Sequence, residues 1–177
     1  MEGDFPTKIY VLRMSQDDPK KCTSAKLSRM RLARSLPQAR MIPRKAVVLN
    51  PTAEVFLPKD QDNPKNGIVA IDCSWKNAEK VFNRRFNGLN RRLPILLAGN
   101  PINYAKPNKL SSAEAIAAML YIGGQVEHAQ KIISIVKWGP TFLSLNQDPL
   151  EEYRLAETSE RIKEIVCHHI ISLSANQ

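Results

Sequence analysis

The run GIVAIDCSW, Gly67 to Trp75, decides how the rest of this chain is read. Ile68, Val69, Ala70 and Ile71 follow one another with no polar residue between them. A strand with one wet face alternates apolar and polar side chains, so an unbroken run predicts a strand covered on both faces, as in a parallel sheet. The run stops at Asp72-Cys73-Ser74-Trp75. Beyond it Trp75, Ala78, Val81, Phe82 and Phe86 recur at helical spacing, which predicts a helix from Trp75 to Phe86.

Working outward, Lys8–Met14 predicts a first strand, and Ala25 to about Arg34 a helix with one basic side. Ala46–Asn50 and Leu93–Ala98 predict two more strands. The last seventy or so residues read as helices over Ser111–Ile122, Gln125–Trp138 after the Gly123-Gly124 break, and Pro149–Leu173. Asp148 is the expected N-cap of the third, with Pro149 at its first position. Strands alternating with helices make this an α/β fold with a mainly parallel sheet. A strand-helix-strand portion, residues 1–66, precedes a helix-rich portion, residues 67–177, and the two are compatible with one continuous domain.

At 177 residues and 43% hydrophobic, the chain can bury one sizeable core. Its net charge of +9 is unevenly spread. Residues 1–50 carry 11 basic and 4 acidic residues, and residues 76–110 carry 8 and 1, so each segment holds +7. Two basic segments in an otherwise neutral to acidic chain point to an anionic partner such as nucleic acid. Three well-separated cysteines, Cys22, Cys73 and Cys167, with no CxxC pair, fit a reducing compartment and no zinc site. No apolar run reaches the roughly 18 residues that span a bilayer, and MEGDFPTK is not a signal peptide, so a cytoplasmic protein is expected. Of the histidines, His168 and His169 are adjacent and point different ways on a helix; with His128 they read as surface or interface residues rather than metal ligands. No P-loop, GxGxxG or GxSxG is present, so a nucleotide-like ligand must be held in another way.

In open α/β sheets that other way lies at the carboxyl ends of the strands. Those ends read LNP (Leu49–Pro51), IDCSW (Ile71–Trp75) and LLAGNPINYAKPNKLSS (Leu96–Ser112). Each leaves through a polar or proline-stiffened turn, and the last ends in a Ser-Ser-Ala-Glu helix start. Such loops expose backbone N–H and C=O groups that suit an adenine edge.

Together, KCTSAKL, LNP, IDCSW, RLPILLAGNPINYAKPNKLSSAEAIAAMLYIGG and VKWGPTFLSLNQDPLEEY closely resemble the ribosomal small-subunit RNA aminocarboxypropyltransferase family, from the first strand to Tyr153. The resemblance implies a SPOUT-like fold with a deep trefoil knot, S-adenosyl-L-methionine as cofactor, and rRNA or a pre-ribosomal small subunit as partner. It implies that Thr23 contacts the amino-acid part of the cofactor, that Leu49 and Pro51 wall the adenine, and that the Ile71 backbone holds the ribose. Leu93, Asn108 and Ser112 match further cofactor contacts, with Leu110 and Ala115 lining the pocket. Asn108 stands where many relatives carry a bulkier residue, often tyrosine. A monomer is expected, as for relatives with a helical C-terminal part.

The cofactor carries three carbons on its sulfonium, and the one facing the nucleophile is transferred. Donating the 3-amino-3-carboxypropyl group requires the methyl to be turned inward, and Trp75 offers an aromatic face to it. Asp72 is the candidate partner for the cofactor's amino group, or a base for the uracil N3 proton. Lys20, Lys21, Lys26 and Arg29 flank the Thr23 loop, while Lys76, Arg84, Arg85, Arg91 and Arg92 follow the DCSW turn; these are the candidate rRNA contacts. Two other readings stay open: a knotted methyltransferase using the same cofactor, and a non-catalytic rRNA-binding assembly factor.

Overall fold

A computed structural model describes residues 5–14, 22–54, 66–84 and 86–175. Five parallel strands form one sheet: β1 (Ile9–Arg13), β2 (Arg34–Leu36), β3 (Val47–Leu49), β4 (Ile68–Asp72) and β5 (Leu89–Arg91), in the spatial order β2-β1-β4-β3-β5. The helices are α1 (Thr23–Arg29), α2 (Ala78–Phe82), α3 (Ser112–Ile122), α4 (Val126–Ile133), α5 (Gly139–Leu145), α6 (Gln147–Leu155) and α7 (Ser159–Ala175), with a 3-10 turn at Ala39–Met41. Strands from both sides of residue 66 share the sheet.

The unbroken apolar run of β4 is explained by its central place, between β1 and β3. Ile68 and Ala70 join Ile9, Val11, Val47 and Leu49 on one face, under α1 and α3 to α7. Val69 and Ile71 join Leu12 and Val48 on the other, against α2, Phe86 and Ile42. Side chains alternate by two along every strand, yet both faces are dry, so no polar residue is tolerated inside β4.

Several elements differ from the sequence expectation. The helix expected to reach Arg34 ends at Arg29, because Arg31 takes a left-handed φ of 57° and Leu32 N–H donates back to Leu27 O at 3.0 Å. That helix stop is ordinarily made by glycine. The chain then enters β2, which its sequence does not announce. Leu93–Ala98 is extended but does not join the parallel sheet. It pairs instead with its own returning loop, through Ala105 N–H to Ala98 O at 2.8 Å and Asn108 N–H to Leu96 O at 2.8 Å. The fifth strand is Leu89–Arg91, entered through Gly88, whose φ is +93° and where a Cβ would meet Ala46 O at 2.7 Å, too close to be tolerated. The expected helix Gln125–Trp138 is α4 and stops at Ile133, and α5 follows it. The expected Pro149–Leu173 helix is two helices, α6 and α7, parted at residues 156–158; α6 starts at Gln147, so Asp148 lies inside it rather than capping it.

The break at Gly123-Gly124 is as expected. Gly124 is left-handed at φ 80°, and Gln125 N–H returns to Leu120 O at 2.8 Å. Ser111 and Glu114 form a full capping box on α3, which fixes where that helix begins at the edge of the site.

Candidate functional site

Because every strand is parallel, all five carboxyl ends lie on one edge, where a cavity of about 1070 Å³ opens. The end of β3 contributes Leu49 and Pro51, and the end of β4 contributes Ile71, Asp72 and Trp75. The segment after β5 adds Leu93, and the loop before α3 adds Asn108 and Leu110. Ser112 and Ala115 enter from the start of α3 and Thr23 from the start of α1. All eleven positions expected at a cofactor site therefore line one cavity, although they span residues 23 to 115.

Asp72 sits at its centre. Its Oδ2 accepts a hydrogen bond from the Cys22 thiol at 2.7 Å and a short one from the Ser24 hydroxyl, while the Ser112 hydroxyl lies 3.5 Å from Oδ1. No lysine or arginine among the described residues pairs with it. A carboxylate held only by hydroxyl and thiol donors keeps its charge available for a ligand cation. The Cys22 thiol is pushed above its ordinary value, first by burial and then by the carboxylate beside it, so it stays protonated and donating. Within KCTS the family resemblance singles out only Thr23; Cys22 and Ser24, which hold Asp72, carry no signal of their own.

Trp75 is half-buried, and its indole N–H donates to Leu110 O at 3.2 Å. Lys109 Nζ lies 4.5 Å from the ring centroid. The ring is thereby fixed against the loop before α3, as an aromatic platform needs. Asn108 is in the left-handed region at φ 57°, and its Oδ1 accepts from Leu96 N–H at 3.3 Å. Asparagine is among the non-glycine residues that tolerate that backbone best.

The long loop is held from beneath by two buried residues that pattern reading misses. Glu114 takes bonds from Gly99 N–H at 2.8 Å, Asn100 Nδ2 at 2.9 Å and Ser111 N–H at 2.6 Å. The Ser-Ser-Ala-Glu start shows its capping role but not its grip on residues 99–100. Asn146 accepts from Leu97 N–H at 2.7 Å and donates to Leu97 O at 2.8 Å, doing for that peptide what a neighbouring strand does. An asparagine between two helices gives no sign of this in sequence.

Of the expected RNA contacts, Lys26, Lys76 and Arg92 line the cavity, and Arg29 and Arg84 are exposed. Arg91 is half-buried, with Nη1 donating to Asn90 O at 2.9 Å, so it braces its own turn. Lys20, Lys21 and Arg85 fall outside the described residues. Among the histidines, His169 pairs with Glu152 at 2.9 Å and His168 is exposed. His128 corrects the surface expectation: it is buried, stacked on Phe5 with ring centroids 4.2 Å apart. No helix among the described residues is long and apolar enough to cross a membrane.

Comparison with known proteins agrees with this geometry. Residues 47–170 match the family model described as the C-terminal part of ribosome biogenesis proteins. The 16S rRNA aminocarboxypropyltransferase of Methanosarcina mazei is 48% identical over 169 residues, covering 94% of this chain and 96% of its own. That of Saccharolobus solfataricus is 43% identical over 160 residues, covering 89% and 93%. The solved structure of the SAM-dependent rRNA:acp-transferase Tsr3 from Vulcanisaeta distributa superposes with a TM-score of 0.82 at 32% identity, covering 92% of this chain and 97% of that one. The chain belongs to the 16S rRNA aminocarboxypropyltransferase family of ribosome biogenesis proteins.

Proposed function

We propose that this protein transfers the 3-amino-3-carboxypropyl group of S-adenosyl-L-methionine to N3 of an N1-methylated pseudouridine in small-subunit rRNA. The observation that carries the reading is the convergence of an apolar wall, a carboxylate with no lysine or arginine partner among the described residues and a fixed indole in one cavity at the carboxyl edge of the sheet. That set suits a ligand with an adenine, an onium centre and an ammonium group.

Bound there, S-adenosyl-L-methionine supplies an electrophilic carbon: the new N3–C bond forms as the C–S bond breaks, its electron pair stays on sulfur in 5′-methylthioadenosine, and the N3 proton leaves to solvent. The chain's own residues orient this step. Leu49, Pro51, Ile71, Leu110 and Ala115 exclude water from the adenosyl side. Trp75 would hold the methyl against its ring, turned away from the RNA. Asp72, held by Ser24 and Cys22, fixes the ammonium group and so directs the amino-acid arm toward the mouth, with Thr23 and Ser112 beside it. Leu93 and Asn108 complete the wall. Lys26, Lys76 and Arg92 bring rRNA phosphates to the rim, with Arg29 and Arg84 further out. The same reading carries a SPOUT-like knotted chain and a monomeric enzyme acting in the cytoplasm. The all-parallel sheet and the loop before α3 lying against Trp75 support the first.

The test uses a decoding-region rRNA hairpin, suitably methylated, with cofactor labelled either in the carboxyl carbon or in the methyl group. Carboxyl label in the RNA, with methylthioadenosine released, is the expected result. Methyl label in the RNA makes the protein a methyltransferase, and no label with RNA still bound makes it an assembly factor.

A further inference from the structure

The cavity is larger than its cofactor wall. About 1070 Å³ lies at the upper end of the roughly 300–1000 Å³ range of ligand pockets. Beyond the eleven cofactor positions, its lining continues onto Ile102 and Asn103 of the loop before α3, Lys137 and Trp138 of the α4–α5 turn, and Val166 and Ile170 of α7. This part of the wall differs in kind. Ile102 is 86% exposed and Ile170 46%, so apolar side chains stand open at the mouth. Lys137 is exposed beside them. The Asn103 side-chain amide has no hydrogen-bond partner among the described residues, although its backbone N–H donates to Asn100 Oδ1 at 3.0 Å. Trp138 is half-buried, and its indole nitrogen finds no acceptor among the described residues, whereas the Trp75 indole is tied to Leu110.

We propose that this second wall, formed by Ile102, Asn103, Trp138, Val166 and Ile170, receives the target nucleobase after it is drawn out of the RNA stack. The inference rests on the transferase reading above. Its reasoning is geometric: the nucleophilic nitrogen must come within about 3 to 3.5 Å of the reacting carbon, so the base must enter the cavity that holds the cofactor. It does so on the wall the cofactor leaves open. Enzymes that act on a base in structured nucleic acid extrude it and read it by stacking and by hydrogen bonds to its Watson–Crick edge. Trp138 and the two isoleucines provide the stacking and apolar contact. The Asn103 amide N–H donates to a uracil carbonyl beside N3, which leaves N3 itself turned to the reacting carbon, and Lys137 meets the phosphate flanking the extruded nucleotide.

The experiment measures carboxyl-label transfer against hairpin concentration and, separately, cofactor affinity by calorimetry, for wild type, the double variant Ile102→Ala/Asn103→Ala, Trp138→Leu and Trp138→Phe. The double variant alters only loop side chains at the rim and guards against misfolding at Trp138. Both it and Trp138→Leu should lower kcat/KM for RNA about tenfold or more while cofactor affinity stays within about twofold, and Trp138→Phe, which keeps a stacking ring, should lose less than Trp138→Leu. Unchanged RNA kinetics in the double variant and in Trp138→Leu overturns the proposal. So does a parallel loss of cofactor affinity, which assigns the wall to the cofactor. If wild type itself transfers no carboxyl label, the transferase reading fails first, and the two failures are thereby told apart.

Discussion

At the residue scale, the central side chain is Asp72, whose charge is kept available by donors that carry none. Replacing it by asparagine removes the cation partner and sets an amide against the Ser24 and Cys22 donors. Transfer activity should fall about tenfold to a hundredfold, the range of a lost hydrogen bond to a charged group. Rates with carboxyl-labelled cofactor, together with cofactor titration, check this. Cys22 is buried with its thiol pushed upward, Cys73 is half-buried and Cys167 is exposed. A thiol reagent near pH 8 should therefore modify Cys167 first and Cys22 last, read by mass spectrometry of the digested protein. His128 is pulled below its ordinary 6.5 by burial against Phe5. With the folded value depressed, the unfolded chain binds the extra proton as pH drops below 6.5, so stability present above that pH is lost on acidification. Thermal melts from pH 7.5 to 5 should fall less steeply in His128→Phe than in wild type; identical slopes would exclude this histidine as a source.

At the scale of elements, the loop before α3 is long and rich in Asn and Pro, yet it is not held by a strand. Two buried side chains hold it, one from α3 and one from the α5–α6 junction. Gly99 lets the loop press onto α5, since a Cβ there meets the Phe142 backbone nitrogen at 2.7 Å. Glu114→Ala leaves the Gly99, Asn100 and Ser111 donors without their acceptor. The cost should be about 3 kcal/mol or more, measured by urea unfolding. Asn146→Ala strips the Leu97 peptide of both its partners and should cost about 2 kcal/mol or more by the same measure. Both variants should also weaken cofactor binding, because the loop they release carries Asn108 and Leu110.

At the scale of the molecule, two basic segments far apart in sequence, each of +7, contribute to one rim. Lys26 comes from α1, Lys76 from the turn after β4 and Arg92 from the end of β5. Their approach is a consequence of parallel topology, which gathers every carboxyl-end loop on one edge. Hairpin binding should weaken steeply as salt rises from about 50 to 200 mM, because phosphate contacts release counterions. Binding of S-adenosyl-L-methionine, within an apolar cavity, should change little over the same range. Equal salt sensitivity of the two would mean that the rim charges hold cofactor rather than RNA.

The sequence by itself determined the sheet's character and the site's position. An apolar run such as Ile68–Ile71 is stable only when dry on both faces, and a parallel sheet then sends its polar turns to one end. The capping box at Ser111 and the Gly123-Gly124 stop were legible for the same reason: each is a local device whose residues are neighbours in sequence. Tertiary structure decided the rest. Arg31 makes a glycine-like helix stop, and Leu89–Arg91 becomes an edge strand because Val47–Leu49 is there to pair with it. Leu93–Ala98 has the composition of a strand, but its backbone partners are its own loop, Asn146 and the Tyr153 hydroxyl. The grip of Cys22 and Ser24 on Asp72 spans about fifty residues. Such pairings depend on which groups meet once the core has closed, and a backbone donor takes whichever acceptor the fold brings to it.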